Sequence, residues 1–240
     1  NDGDYTISEI SADGKVLVLD IDGAFTWEET SDLIIMIVEE HKSNITVNAR
    51  VNLPESGKTA KANAEGISGS TMLSGSGVWA TTEVSPVVQA YIGKYSNLQV
   101  DGKIELLADV KSQQEAYTGT INIAIAGLAV SANYACATAN SQISAHIGDF
   151  SNIRAYQLFI KAFGDETTYA EAESGSGGII SGKAIMAQTD NQSNTVASVG
   201  RVEIEVSGFD LLAEHSAKYN SEVNTYNAAV VGGSAGMTDN

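Results

Sequence analysis

Two carboxylates set two residues apart, Asp20 and Asp22, close the apolar run Val16-Leu17-Val18-Leu19 and lead into Gly23. A carboxylate at the end of a strand attacks a phosphoryl group while a bound metal ion neutralises the developing charge. The same residues also spell a strand that ends in an Asp-Gly turn, a very common arrangement. Other chemistry-bearing groups are sparse. His41, His146 and His215 are far apart and show no ligand spacing, which reads as surface or turn histidines. Cys136 is the single cysteine, so the chain has no intramolecular disulfide, and its Ala-Asn-Tyr-Ala-Cys-Ala-Thr-Ala setting predicts an inward-packed small residue. The glycine and serine run at 174–178 precedes Ile179-Ile180 without the Lys-Ser/Thr ending of a phosphate loop. Asn44-Ile45-Thr46 and Asn191-Gln192-Ser193 match the short N-glycan acceptor pattern. None of this assigns a catalytic, cofactor-binding or metal-ligating residue with the weight that an internal repeat carries.

Tyr91-Ile92-Gly93-Lys94-Tyr95-Ser96-Asn97-Leu98 returns as His146-Ile147-Gly148-Asp149-Phe150-Ser151-Asn152-Ile153, and Ser198-Val199-Gly200-Arg201-Val202 starts a worn third copy. The three glycines stand 55 and 52 residues apart. Ile104-Glu105-Leu106-Leu107-Ala108, Leu158-Phe159-Ile160-Lys161-Ala162 and Phe209-Asp210-Leu211-Leu212-Ala213 share a second pattern, and Val51-Asn52-Leu53-Pro54-Glu55 reads as its divergent first copy. Gly/Ser-rich loops are expected around Ser74-Gly75-Ser76-Gly77, at 174–178 and at 232–236. A constant period near 50 predicts stacked supersecondary units, each burying its apolar face on its neighbours. Since a coil of a parallel β-solenoid usually takes about 20 residues, each repeat is expected to span two or three coils.

The elements that such units need are strands. Ile45-Thr46-Val47-Asn48-Ala49-Arg50-Val51-Asn52-Leu53 alternates apolar and polar at period two, as do Leu98, Val100, Ile104, Leu106 and Ala108 around an Asp101-Gly102 turn. Val202, Ile204, Val206, Phe209, Leu211 and Ala213 repeat the pattern around Ser207-Gly208. Pro54 and Pro86 each sit where a strand could end. Residues 1–43 do not fit the repeat and form a candidate N-terminal capping or assembly segment. Its Thr26-Trp27-Glu28-Glu29 resembles a helix capping box, leaving 26–40 open between helix and strand. Residues 44–240 then divide into copies near 44–96, 97–151, 152–200 and 201–240.

Composition narrows the partners. The chain has 13 basic and 30 acidic residues among 240, a formal net charge of −17, which argues against nucleic acid and anionic membranes. No run reaches the roughly 18 apolar residues of a membrane helix, so no membrane insertion is expected. The chain opens on Asn1-Asp2-Gly3-Asp4 without Met, as if a leader had been removed or a piece excised. Tyr91, Tyr95, Tyr117, Tyr134, Tyr156, Tyr169, Tyr219 and Tyr226 recur at comparable places; aligned ladders along a stack are the favoured reading, stacking on a glycan or a surface receptor the other.

Two resemblances arise from these motifs. Residues 15–23 resemble the first motif of haloacid-dehalogenase-type phosphatases, which implies Asp20 as nucleophile, Asp22 as acid and base, and Mg²⁺ held by both; Gly148-Asp149-Phe150-Ser151-Asn152 is vaguely similar to that family's last acidic motif. Ala24-Phe25 replaces the family's usual Thr, however, and the Gly148-Asp149 segment has a repeat twin with Lys94 in place of the ligand. The repeated Ile-Gly-x-aromatic-Ser-Asn, the Ala-ending strand and the Gly/Ser stretches over roughly 44–240 resemble passenger repeats of leukotoxin-type and filamentous-haemagglutinin-type secreted adhesins. That resemblance implies a right-handed parallel β-helix displayed outside the cell, with no catalytic residue. The expected fold is therefore all-β, a repeat-built parallel β-solenoid with a β-sandwich as the alternative. The expected function is a non-enzymatic extracellular or cell-surface structural protein, an adhesin or filament subunit that self-associates into a fibre or rod. It needs no cofactor and no metal. A Mg²⁺-dependent phosphatase and a viral or phage structural protein are the alternatives.

Overall fold

The computed structural model describes residues 6–10, 16–20, 25–26, 34–35 and 43–240. All regular structure there is strand, and no helix occurs among the described residues. β1 (Thr6–Ile10) pairs antiparallel with β2 (Val16–Asp20). β3 (Phe25–Thr26) and β4 (Ile34–Ile35) come next; β3 adds in parallel to the strand after them and β4 to β2. The rest of 26–40 lies outside the described residues.

Every later pairing is parallel. The first layer consists of β5 (Ile45–Val51), β6 (Ala60–Ser70), β7 (Leu73–Val84) and β8 (Val87–Ile92). The second holds β9 (Asn97–Gln99), β10 (Lys103–Ala124), β11 (Leu128–Ala139) and β12 (Gln142–Ile147). The third is β13 (Asn152–Asn191) with β14 (Asn194–Val199), and the fourth is β15 (Glu203–Asp239). Each residue pairs with its counterpart one repeat on: Leu73 with Leu128, Leu128 with Ile180, Asn152 with Glu203. The separation is 51 to 59 residues, so a repeat contributes one layer and not the two or three coils expected from a 20-residue turn. The sequence runs far enough in each copy to travel out along one leg and return along another, and the sheet curls so that the two legs face each other.

The alternation seen in the sequence becomes a ladder. Ile45, Ile104, Leu158 and Phe209 stack in register, as do Val47, Leu106, Ile160 and Leu211, and then Ala49, Ala108, Ala162 and Ala213. Their inner faces meet Val88, Ala90 and Ile92 and the matching Ile143, Ala145 and Ile147 of the return leg. This proximal core contains the largest fully buried apolar side chains of the described chain. Farther out the legs are held by alanines, among them Ala116, Ala135, Ala137, Ala170, Ala172 and Ala187, small enough to let the two walls approach.

The counterpart of Ile104 is Ile45, not Val51, because residues 52–59 form an extra loop between β5 and β6. Gly57 turns it at φ +72°, donating to the Pro54 carbonyl at 2.8 Å. The expected break at Ser207-Gly208 is absent, since β15 runs through it with Gly208 paired to Gln157. The expected Gly/Ser loops are also strands: Ser174 and Ser176 point inward while Gly175 and Gly177 alternate outward within β13. Alternation satisfies a strand whatever residues carry it, and full backbone pairing on both sides offsets glycine's low strand preference.

The repeated Ile-Gly-x-aromatic-Ser-Asn is the corner between layers. Tyr95 and Phe150 both adopt φ 62°, and their rings stack at 5.4 Å and 12°. Ser151 Oγ donates to the Gly93 and Gly148 carbonyls at 3.0 Å each and accepts from the Ser96 N–H at 3.2 Å. A Cβ on Gly148 would stand 2.7 Å from the Lys94 nitrogen, so the layers close at this corner only with glycine. Ile160→Ala, which empties a fully buried ladder position, is expected to lower stability by about 2–5 kcal/mol, read from the urea unfolding midpoint at unchanged slope.

Candidate binding surface

The residues that sequence chemistry singled out are not gathered into one place. Asp20 ends β2, and Asp22 lies outside the described residues. Asp149 occupies the corner turn, where its carboxylate accepts the Arg201 N–H at 2.9 Å. Among the described residues no group of three or more His, Cys, Asp or Glu could hold a metal ion. Asn44 Oδ1 accepts the Lys103 N–H at 2.8 Å, and Asn191 donates to Glu166 at 3.0 Å, so both glycan-acceptor amides are engaged in the fold. Cys136 is half-buried on the outer side of β11, between the inward Ala135 and Ala137, and not packed inward. Gly232-Gly233-Ser234-Ala235-Gly236 has the spacing of a nucleophile elbow, but it runs inside β15 without the strand-to-helix turn that would expose the serine.

The expected tyrosine ladders are not formed among the described residues: Tyr117 stacks in register on Glu171, Tyr169 on Asn220 and Tyr226 on Gly175, and the aromatic contacts are isolated pairs. Tyr91 lies parallel to His146 at 5.3 Å, and Trp79 meets Tyr134 edge-on at 4.9 Å. Burial holds the His146 imidazole below its ordinary 6.5. Tyr117 donates to Glu173 at 2.7 Å; that hydrogen bond and then burial push its phenol up to about 12.

One charged group carries no motif in the sequence. Glu166 is fully buried between the legs, one inward step beyond Gly164 on the strand that carries Leu158, Ile160 and Ala162. Its carboxylate accepts from Ser112 at 3.2 Å, from Ser141 and from Asn191, and His215 Nε2 lies 3.4 Å away. His215 in turn meets Thr195 Oγ1 at 2.9 Å. Gly164 makes the room, because a Cβ there would collide with His215 Nδ1. The cluster lies between the aliphatic proximal core, which ends at Ala162 on this strand, and the alanine-packed stretch that begins at Ala170.

Beyond the alanines the polarity of the legs reverses. The inner side carries Thr120, Asn122, Ser131, Asn133, Ser174 and Lys183, all buried. Asn133 donates to Thr120 at 3.0 Å, Ser131 and Ser174 hydroxyls meet at 2.6 Å, and the Lys183 ammonium donates to the Ser174 and Tyr226 carbonyls. The outer side of the same strands is apolar. Ile67 is 82% exposed, Val230 84% and Trp79 71%, and Ile121, Ile123, Ile125, Ile179 and Ile180 join them. The expected burial of each unit's apolar face therefore holds for the proximal half and fails distally.

On one outer face, Trp79, Tyr134, Met186 and Met237 form a ridge beside Gly77, Ala132, Ala184 and Ala235. On the other, a groove of about 980 Å³ runs over Gly175 and Gly177 between Ile121 and Tyr226. Contiguous apolar area thus lies on both outer faces of the distal end. No protein-family model matches the sequence, and neither a curated protein nor a solved structure matches it.

Two outcomes test this electrostatic layout. Glu166→Ala strips Ser112, Ser141 and Asn191 of their acceptor and is expected to cost about 3 kcal/mol in chemical denaturation. His146 binds its proton less readily folded than unfolded, so its share of stability is present above about pH 6.5 and fades as pH falls below it. The thermal midpoint of wild type should thus drop on acidification below 6.5 more than that of His146→Phe, which keeps the stack on Tyr91.

Proposed function

We propose that the chain is a non-enzymatic structural protein displayed outside the cell, an adhesin or filament subunit whose repeats stack as a parallel β-solenoid. The observation that carries this reading is the in-register parallel pairing of all four copies at a one-repeat offset. Such a stack grows by adding layers. The resemblance of the corner motif and the Ala-ending strands to leukotoxin-type and filamentous-haemagglutinin-type passenger repeats points the same way.

Growth needs a surface that accepts the next layer. The fourth layer offers one: its inward ladder residues Phe209 and Leu211 are 50% and 43% exposed, while their third-layer partners Leu158 and Ile160 are fully buried. β15 also presents a 37-residue edge with one side unpaired among the described strands. A second copy stacking in the same register would cover that edge and those side chains together. The apolar distal faces would then run along the side of the fibre as its adhesive surface, with glycans or a surface receptor as candidate partners.

Negative-stain microscopy and light scattering test the reading. Rods whose length increases with protein concentration are expected, and a monodisperse compact monomer at every concentration would overturn the filament version. Leu211→Lys places a charge on the open layer; it is expected to keep the strand spectrum of the monomer and abolish elongation.

A further inference from the structure

The groove on the out-leg face has a construction that the fold does not call for. In register, Ile121, Gly175 and Tyr226 lie on successive layers, and so do Ile123, Gly177 and Ala228. The third layer thus drops to bare backbone between taller neighbours. Neither glycine has a positive φ. A Cβ on Gly175 would find its nearest atoms at 3.7 and 3.8 Å, and one on Gly177 at 3.4 and 3.9 Å, which is close to ordinary contact. Backbone conformation and packing would accept a side chain at either position, and glycine weakens a strand interior. What the two glycines supply is the hollow itself.

Its dimensions select an occupant. The flanking strands are two strand spacings apart, about 9.6 Å, so one file of methylene groups lies near van der Waals distance of both walls. From Glu173 to Ile179 the trough extends about 20 Å at about 3.3 Å per residue, the reach of a long unbranched chain. The polar side chains along it, Thr120, Asn122, Ser176 and Asn227, are engaged in hydrogen bonds within the fold, and the next polar group is Glu173. There Tyr117 donates to one carboxylate oxygen at 2.7 Å, with Tyr226 beside it. Glu65, Glu171 and Glu222 surround the same mouth. Lys183 lies on the inner side of the sheet with its ammonium on two carbonyls, and Lys58 and Lys61 are held by Glu115. An acidic mouth on a chain of net charge −17 draws cations and repels anions.

We propose that this groove is a binding site for a single-chain cationic amphiphile: a linear alkyl chain lies over Gly175 and Gly177, and its ammonium head rests on Glu173. The site stands independently of fibre formation.

Titration calorimetry on the full chain with hexadecyltrimethylammonium below its micelle concentration tests it. Saturable one-site binding is expected; sodium hexadecanoate should bind at least about tenfold more weakly, and tetramethylammonium not detectably. The double variant Gly175→Val/Gly177→Val fills the trough with strand-favouring side chains. It is expected to melt at or above the wild-type temperature and lose affinity by at least about tenfold. Ile123→Ser, which thins the exposed wall, should weaken binding without moving the melt, and Glu173→Gln should narrow the preference for the cationic head, with Glu65, Glu171 and Glu222 still at the mouth. Non-saturable uptake, or wild-type affinity in both the filled and the thinned variants, would overturn the site. Equal affinity for the two head groups would overturn the role of Glu173. Rods that form normally while the amphiphile fails to bind would remove this proposal and leave the structural reading standing.

Discussion

The backbone ladder in parallel register, one repeat to the next, is the constraint on which everything else depends. It forces each residue to stack on its counterpart, so any side-chain choice made once is confronted by the same position 51 to 59 residues later. Large aliphatics gain from this arrangement, because Leu106 over Ile160 buries both. Charges do not, unless the neighbour is opposite or polar. The outer face accordingly pairs Lys161 with Asp210 at 3.0 Å and Arg154 with Glu205 at 2.6 Å across layers, exposed contacts that each contribute little to stability. Where like charges do stack, Glu171 over Glu222, Asn224 donates to both carboxylates and Tyr169 to Glu171. The buried Glu166 obeys the same demand. Its in-register neighbours are Ser112 and Ala217, and the serine takes the role of donor.

The repeat and its strand character were legible because both leave a direct imprint on residue order. Period two marks alternation to opposite faces, and the corner motif keeps Gly148, Phe150 and Ser151 for reasons of close approach, left-handed backbone and hydrogen bonding. The number of layers per repeat was not legible. A 20-residue coil and a 55-residue out-and-back layer show the same alternation, and only the register, Leu73 against Leu128, distinguishes them. The extra loop at 52–59 likewise shifted the first copy, so that Val51 looked like the partner of a residue that Ile45 holds.

The distal reversal shows a deeper limit. Alternation states that Ile121, Ile123 and Ile125 share a face and that Thr120, Asn122 and Ala124 share the other; it does not state which face is inside. Assigning apolar to the interior is a rule about cost, and it fails where hydrogen bonds satisfy a polar interior. In register this position carries Ile67, Ile121, Gly175 and Tyr226 in the four layers, so its composition alone gave no consistent sign of the reversal. Glu166 did leave a sign, a charge falling on the inward step that follows Leu158, Ile160, Ala162 and Gly164. Places where a local rule breaks without evident compensation are those where function or strain is expected.

The reversal also divides the stability of the molecule unevenly. Proximally, aliphatic ladders from both legs interlock, and hydrophobic burial does the stabilising. Distally, that contribution is forgone, since the isoleucines remain in contact with water and the interior relies on hydroxyl and amide networks of modest net worth. Some of those groups are not satisfied by protein partners: the buried hydroxyls of Ser70, Ser74 and Ser76 have none. A segment built this way opens more readily than the proximal core and gains most from any apolar partner that covers its outer faces. The polar interior is therefore coherent only together with the apolar exterior, because each lowers the cost of the other once the outer faces are covered. The fold places its weakest part where a partner would stabilise it.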